Sequence, residues 1–240
     1  MRRRFFVDQF IGNTAVIEGD AAHHLGHVLR AQTGQLYELS DGSAAWLARI
    51  ESVARNRIDF ALIEQLSSPQ PTADVTLLLS IVKFDAFEWA IEKATELGVS
   101  RIVPLAAARS EKGLLAAAAK RSQRWQKVLL EASQQSRRLR VPLLETVAKP
   151  PDAFDAQRNK LCIVLSERSD APSIRNFLGN ATNTKSAALA IGPEGGWTDD
   201  ELAAARAAGF REASLGQLIL RTETAVIAAV VTLNYALSAG

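Results

Sequence analysis

Ala190-Ile191-Gly192-Pro193-Glu194-Gly195-Gly196-Trp197 is a buried apolar strand running into a glycine-rich turn, and its reading decides the fold. Glycines at such a turn let backbone N–H groups approach a ligand with no Cβ in the way. Pro193 holds Gly192 extended, so the turn is stiff. It is not a Walker A loop, because the Gly-Lys-Ser/Thr ending is absent, and its spacing does not match the dinucleotide fingerprint. A tight strand-to-helix turn without a ligand also explains these residues. Next in the chain, Thr198 and Glu201 have the spacing of a capping box, and Gly209 is a C-terminal stop. Leu215-Gly216-Gln217-Leu218-Ile219-Leu220-Arg221-Thr222-Glu223-Thr224-Ala225 repeats the pattern: a strand ends at a glycine and a helix begins near Thr222. Ligands of α/β sheets bind at the carboxyl ends of strands, so the two segments can share one pocket. Arg221 and Glu223 also suit a solvated helix start, where Glu is favoured by the helix dipole.

Upstream of these segments the pattern is strand, helix, strand. Val75 to Val82 is almost wholly apolar, as in a strand covered on both faces. Asp85 with Glu88 predicts a capping box, Phe87, Ala90, Ile91, Ala94 and Leu97 a buried stripe, and Gly98 the helix end. Further strands are expected at Arg101 to Leu105, Leu143 to Val147, Leu161 to Leu165, Ala187 to Ile191 and Ala213 to Leu215. A parallel sheet with helices on both faces follows. Residues 1–70 differ. Short strands at Arg4 to Val7, Ala15 to Glu18, Leu36 to Ser40, Ala45 to Val53 and Ile58 to Glu64 surround one helix, capped by Asp20 with an apolar stripe of Leu25, Val28 and Leu29. They predict a small β-barrel. Leu66 to Thr72, with two prolines, reads as a linker between domains at 1–70 and 71–240.

The chain has 240 residues, 48% of them hydrophobic, which is enough for a sizeable core. Its net charge of +2 hides an uneven distribution. From Arg109 to Arg140 there are nine basic and two acidic residues, a net of +7 against −5 elsewhere. Lys120, Arg121, Arg124, Arg137 and Arg138 lie in or beside one long helix there. A polyanion bound through phosphate contacts accounts for this excess, as does a plain solvated face. The single cysteine, Cys162, sits in an apolar run and reads as a buried, inert thiol. His23 and His27 are spaced i, i+4, but no nearby carboxylate or cysteine completes a ligand set, so no metal is expected. The first residues carry positive charge but no apolar run, so they are not expected to be a signal peptide, and Ala225 to Leu233 is too short to span a bilayer. The protein reads as soluble and cytoplasmic.

Taken together, the paired C-terminal motifs resemble the SPOUT class of RNA methyltransferases. More closely, they resemble the bacterial ribosomal RNA small subunit methyltransferase E family, whose members methylate N3 of a uridine in 16S rRNA. Arg3-Arg4-Phe5-Phe6-Val7, His23-His24-Leu25 with Val28-Leu29-Arg30, Lys93 to Gly98, and Glu131-Ala132 with Gln135-Ser136 also match the family pattern. The chain departs from it at Leu218, where an arginine is usual, and at Ala108, before Arg109, where an acidic residue is usual.

The resemblance implies a trefoil-knotted methyltransferase domain, a PUA-like N-terminal barrel and a homodimer, with 16S rRNA of the small subunit as partner. It implies an S-adenosylmethionine pocket built from the loops after Leu165, Ile191 and Leu215. Gly192, Pro193, Gly195, Gly196, Gly216, Ile219, Leu220 and Thr224 contribute to it. Glu194, Arg221 and Glu223 are the implied catalytic residues. Arg3, Arg4, His24, Arg30, Arg109, Lys120, Arg121, Arg124, Arg137 and Arg138 are the implied RNA contacts. Two other readings stay open at this level: 2'-O-methylation of a tRNA or rRNA ribose, and a non-catalytic RNA-binding assembly factor.

Overall fold

The computed structural model describes residues 3–67, 73–158, 160–178 and 184–238. Residues 68–72 of the expected linker lie outside this set. The chain forms two compact units, Met1–Gln70 with Ser133–Val141, and Pro71–Ala132 with Pro142–Gly240. The sequence reading left 133–141 in the second domain. Hydrogen bonds hold it in the first: Ser40 Oγ donates to Leu139 O at 2.8 Å, Arg4 Nη1 to Arg137 O at 2.7 Å, and Arg140 Nε to Gly42 O.

The first unit holds strands β1 (Arg4–Phe6), β2 (Thr14–Glu18), β3 (Leu36–Ser40), β4 (Ala45–Ala54) and β5 (Arg57–Leu66) in one sheet, ordered β1-β3-β4-β5-β2. β1 runs parallel to β3, and the other pairs are antiparallel. Two register shifts between β4 and β5, at Leu47/Ala48 and Ile50/Ser52, bend the sheet around a core that includes Phe5, Ile17, Leu25, Leu39, Ile50 and Phe60. Helix α1 (Gly19–His23) continues directly into a π-helical turn, His24–Val28. Two expectations fail here. Asp20 lies inside the first turn and makes no cap. Val28 is exposed rather than on the stripe with Leu25, because the turn closes five residues back, Leu29 N to His24 O, and shifts the phase of the face.

The second unit holds a six-stranded, all-parallel sheet: β6 (Asp74–Ser80), β7 (Arg101–Leu105), β8 (Leu143–Leu144), β9 (Leu161–Leu165), β10 (Ser186–Ile191) and β11 (Arg211–Ala213). The order is β11-β9-β10-β6-β7-β8. Around it lie α2 (Phe84–Glu96), α3 (Lys112–Gln135), α4 (Pro150–Asp155), α5 (Arg175–Leu178), α6 (Asp199–Ala207) and α7 (Thr222–Ser238). Leu78, Val103, Val164 and Ala190 point to the face covered by α4 and α6. Their neighbours Leu77, Leu79, Ile163 and Leu189 point the other way and are also buried, with α7 against β10 and α2 against α7. This two-sided cover is what the continuous apolar runs predict.

Three details differ from the sequence reading. The Asp85–Glu88 capping box is absent: α2 begins at Phe84 after Lys83, and Glu88 instead pairs with Arg124 Nε at 3.2 Å and Arg121 Nη1 at 3.6 Å. Strand β8 stops at Leu144, short of Val147. β11 ends at Ala213 because Ser214 Oγ donates to Gly216 O at 2.8 Å and turns the chain out of the sheet.

Candidate active site

The carboxyl ends of β11, β9 and β10, three neighbours in the sheet, open into one cleft of about 400 Å³. That is a volume suited to a small organic ligand. Each strand end brings its own loop. Leu165, Ser166, Glu167 and Arg168 follow β9; Ile191, Gly192, Pro193, Glu194 and Gly196 follow β10; Ser214, Leu215 and Gly216 follow β11. Leu218, Ile219, Leu220, Arg221, Thr222 and Ala225 close the far side and lead into α7.

The glycine turn is shaped from below by Trp197. The buried indole donates from Nε1 to Leu165 O at 2.9 Å, tying the β10 loop to the end of β9. A Cβ on Gly192 would lie 3.1 Å from the same ring, so any side chain here would press on the indole. Gly196 N donates to Pro193 O at 2.8 Å and closes the turn, with Gly196 at φ +68°. Gly216 has φ +139°, a conformation side chains disfavour, with open space beside its α-carbon, while its N–H and carbonyl both bond the Ser214 hydroxyl. After the turn, both halves of the Thr198–Glu201 capping box are present.

Glu194 and Arg221, distant in sequence, both line the cleft and are exposed at it. Glu223 and Thr224 sit in the first turn of α7 and do not line it; neither does Gly195, whose carbonyl accepts from Arg109 Nη1 at 2.8 Å. Sequence reasoning placed Arg109 among the RNA contacts, whereas it lines the cleft. It missed Trp197, Glu167 and Arg168 as site residues. The run Leu165-Ser166-Glu167-Arg168 directly after a buried strand was the available signal for the last two. Arg168 Nη1 pairs with Asp199 Oδ1 at 3.0 Å, which anchors the β9 loop to the start of α6. Leu218, 83% exposed, and Ile219, 79% exposed, form an apolar lip.

The expected RNA contacts fall in both units. Arg3, His24 and Arg30 are exposed, as are Lys120, Arg121 and Arg124 on α3. Arg121 also lies over the Phe84 ring, 4.6 Å from its centroid. Arg4 is a correction. It is 4% exposed and donates to Glu38 Oε2 at 3.1 Å, so it is held inside the sheet and does not face RNA. Arg137 takes the left-handed conformation that ends α3, with Arg138 N donating to Ser133 O, and its guanidinium pairs with Glu38 Oε1 at 3.4 Å. Burial pushes the Arg138 guanidinium down to about 10, and its Nε donates to Arg140 O. Cys162 is buried, donates to Gln157 O, and its thiol is pushed up by burial. His23 and His27 stack at 4.5 Å. Among the described residues, no group of three or more His, Cys, Asp or Glu is placed to hold a metal.

The parallel sheet with its cleft of glycine-lined strand ends and the small curled sheet each match a known family. Residues 68–234 match the RNA methyltransferase domain family and residues 17–63 the RNA methyltransferase PUA domain. Ribosomal RNA small subunit methyltransferase E of Synechocystis sp. is 32% identical, over 95% of this chain and 75% of its own length. The Mycobacterium tuberculosis protein of the same name is 32% identical, over 94% and 88%. A Neisseria gonorrhoeae ribosomal RNA small subunit methyltransferase E, crystallised bound to S-adenosyl methionine, superimposes with a TM-score of 0.88 at 28% identity, covering 98% of each chain. The chain belongs to the ribosomal RNA small subunit methyltransferase E family.

Proposed function

We propose that this protein methylates N3 of a specific uridine in 16S rRNA of the small ribosomal subunit, with S-adenosylmethionine as donor. The observation that carries the reading is the convergence of Glu194 and Arg221 on one cleft at three parallel strand ends. The cleft fits the donor chemically. Leu165, Ile191 and Leu220 offer an apolar wall for adenine, and Gly216, with open space where a side chain would stand, lets a ligand approach the loop closely. Glu167 and Glu194 offer negative charge to a cationic ligand. When bound, S-adenosylmethionine supplies a methyl group activated by the sulfonium.

The chain's own residues handle the uridine. N3 of uracil carries a proton that must leave before the nitrogen can act as a nucleophile. Glu194 accepts that proton. Arg221 faces the negative charge that spreads over O2 and O4. Glu223, outside the cleft lining, supports the first turn of α7 through the helix dipole. The exposed Arg3, Arg30 and Lys120 hold RNA phosphates.

Further parts of the proposal are a PUA-like domain at 1–70 that includes 133–141, a methyltransferase domain over the rest of 71–240 with a trefoil knot at its C-terminal end, and a homodimer in the cytoplasm. No described helix is long and apolar enough to cross a membrane. For the dimer, Val231 and Tyr235 on α7 and Trp89 on α2 are exposed on two helices that pack together.

Single-turnover methylation tests the assignment of roles. E194A and R221A are expected to lower the rate by about a hundredfold or more while leaving thermal unfolding unchanged. Unchanged rates would remove both residues from the mechanism.

A further inference from the structure

Trp197 shapes the glycine turn from one side. The other side is held by contacts that begin at Glu201. This carboxylate is 6% exposed. Its Oε2 accepts from Thr198 N at 2.9 Å and from Thr198 Oγ1 at 3.1 Å, which completes the helix cap. Its Oε1 does something the cap does not need: it accepts from Ala108 N at 2.8 Å, in the loop after β7. A buried carboxylate is costly to leave unpaired, so this bond fixes Ala108 against α6. On the other side of Arg109, Ser110 Oγ donates to Ile81 O at 2.8 Å. Arg109 therefore leaves a backbone anchored at both of its neighbours.

From that base the Arg109 side chain lies across the glycine turn. Nη1 donates to Gly195 O at 2.8 Å. Its Cβ and Cδ lie 3.3 and 3.5 Å from the point that a Cβ on Gly195 would occupy. Its Nη1 is 4.0 Å from the corresponding point at Gly196. Gly195 has room for the arginine stem because it lacks a side chain.

We infer that Glu201 and Arg109 are positioning residues for the methyl donor: Glu201 fixes the loop after β7, and Arg109 uses that loop to clamp the Gly195 carbonyl and hold the turn in its binding shape. The inference rests on the proposed donor site in this cleft. It gives Arg109 a task besides any RNA contact, and it gives the buried carboxylate a reach beyond its own helix.

Calorimetry with S-adenosylmethionine and no RNA, on full-length protein well below its melting temperature, reads the effect. R109A is expected to raise Kd about tenfold, and R109M, which keeps the stem but not the donors, to do the same. E201Q is expected to weaken binding, and the double variant R109A/E201Q to bind no worse than R109A, because Glu201 acts through Arg109. Wild-type Kd in R109A and R109M, or fully additive losses in the double variant, overturns the inference. Hydrogen exchange at the Gly195 and Gly196 amides in the ligand-free protein separates this failure from failure of the donor site itself. R109A is expected to accelerate that exchange, and unchanged exchange contradicts the clamp whether or not the donor binds. Because Arg109 is exposed, the R109 variants keep the test available even if E201Q fails to fold.

Discussion

At the scale of single residues, the site depends on positions where a side chain would be in the way. A Cβ at Gly192 would sit 3.1 Å from the Trp197 indole, so G192A must displace the ring that ties β10 to β9. We expect G192A to cost about 1–3 kcal/mol in denaturant unfolding and to weaken binding of the methyl donor in calorimetry. Gly216 poses a different problem: there is space for a methyl group but the backbone, at φ +139°, resists one. Cys162 gives a chemical check on burial. Its thiol is raised by desolvation and enclosed, so it should not react with a thiol reagent at pH 8 until the protein is unfolded. The residue pattern marks the glycine turns, while Glu194 and Arg221 are singled out through the family resemblance. Neither separates Arg4, enclosed by Glu38 and Arg137, from exposed Arg3, because those partners lie 34 and 133 residues away in the chain.

At the scale of elements, local signals were read correctly where their partners are local. Thr198 and Glu201 form the expected capping box, and α7 begins at Thr222 as the sequence indicates. Replacing Thr198 by alanine is expected to cost about 1 kcal/mol in equilibrium unfolding. Asp85 and Glu88 have the same spacing but form no box, since Glu88 is taken by Arg121 and Arg124 from α3. That competition leaves no trace in the local sequence. It also refines the view of the basic helix, where two of the arginines already share a carboxylate and Lys120 is exposed. On α7, where Val226, Ala229, Val230, Leu233 and Leu237 are buried, Val231 and Tyr235 are exposed. If the proposed homodimer covers them, Y235E should halve the mass measured by light scattering; a monomer mass for the unaltered protein, or a dimer mass kept by Y235E, would contradict that contact.

At the scale of the whole molecule, sequence periodicity predicts a parallel sheet but not its strand order. The order decides the function, because β11, β9 and β10 are neighbours and their three loops meet. Long-range pairing of this kind follows from tertiary packing; the family resemblance implies that the three loops meet, but no strand order is read from the sequence. The net charge of +2 likewise conceals a basic stretch of +7 around α3. RNA binding should therefore weaken steeply with salt, and charge reversal at Lys120 should lower the slope of log K against log salt by about one. The central claim is the chemistry performed in the cleft, and nucleoside mass spectrometry of 16S rRNA tests it most directly. RNA from a strain lacking this protein should lose one N3-methylated uridine, and incubation of its small subunits with the protein and S-adenosylmethionine should restore it. A methyl group on a ribose 2'-oxygen, or an unaltered set of modified nucleosides, would contradict the account.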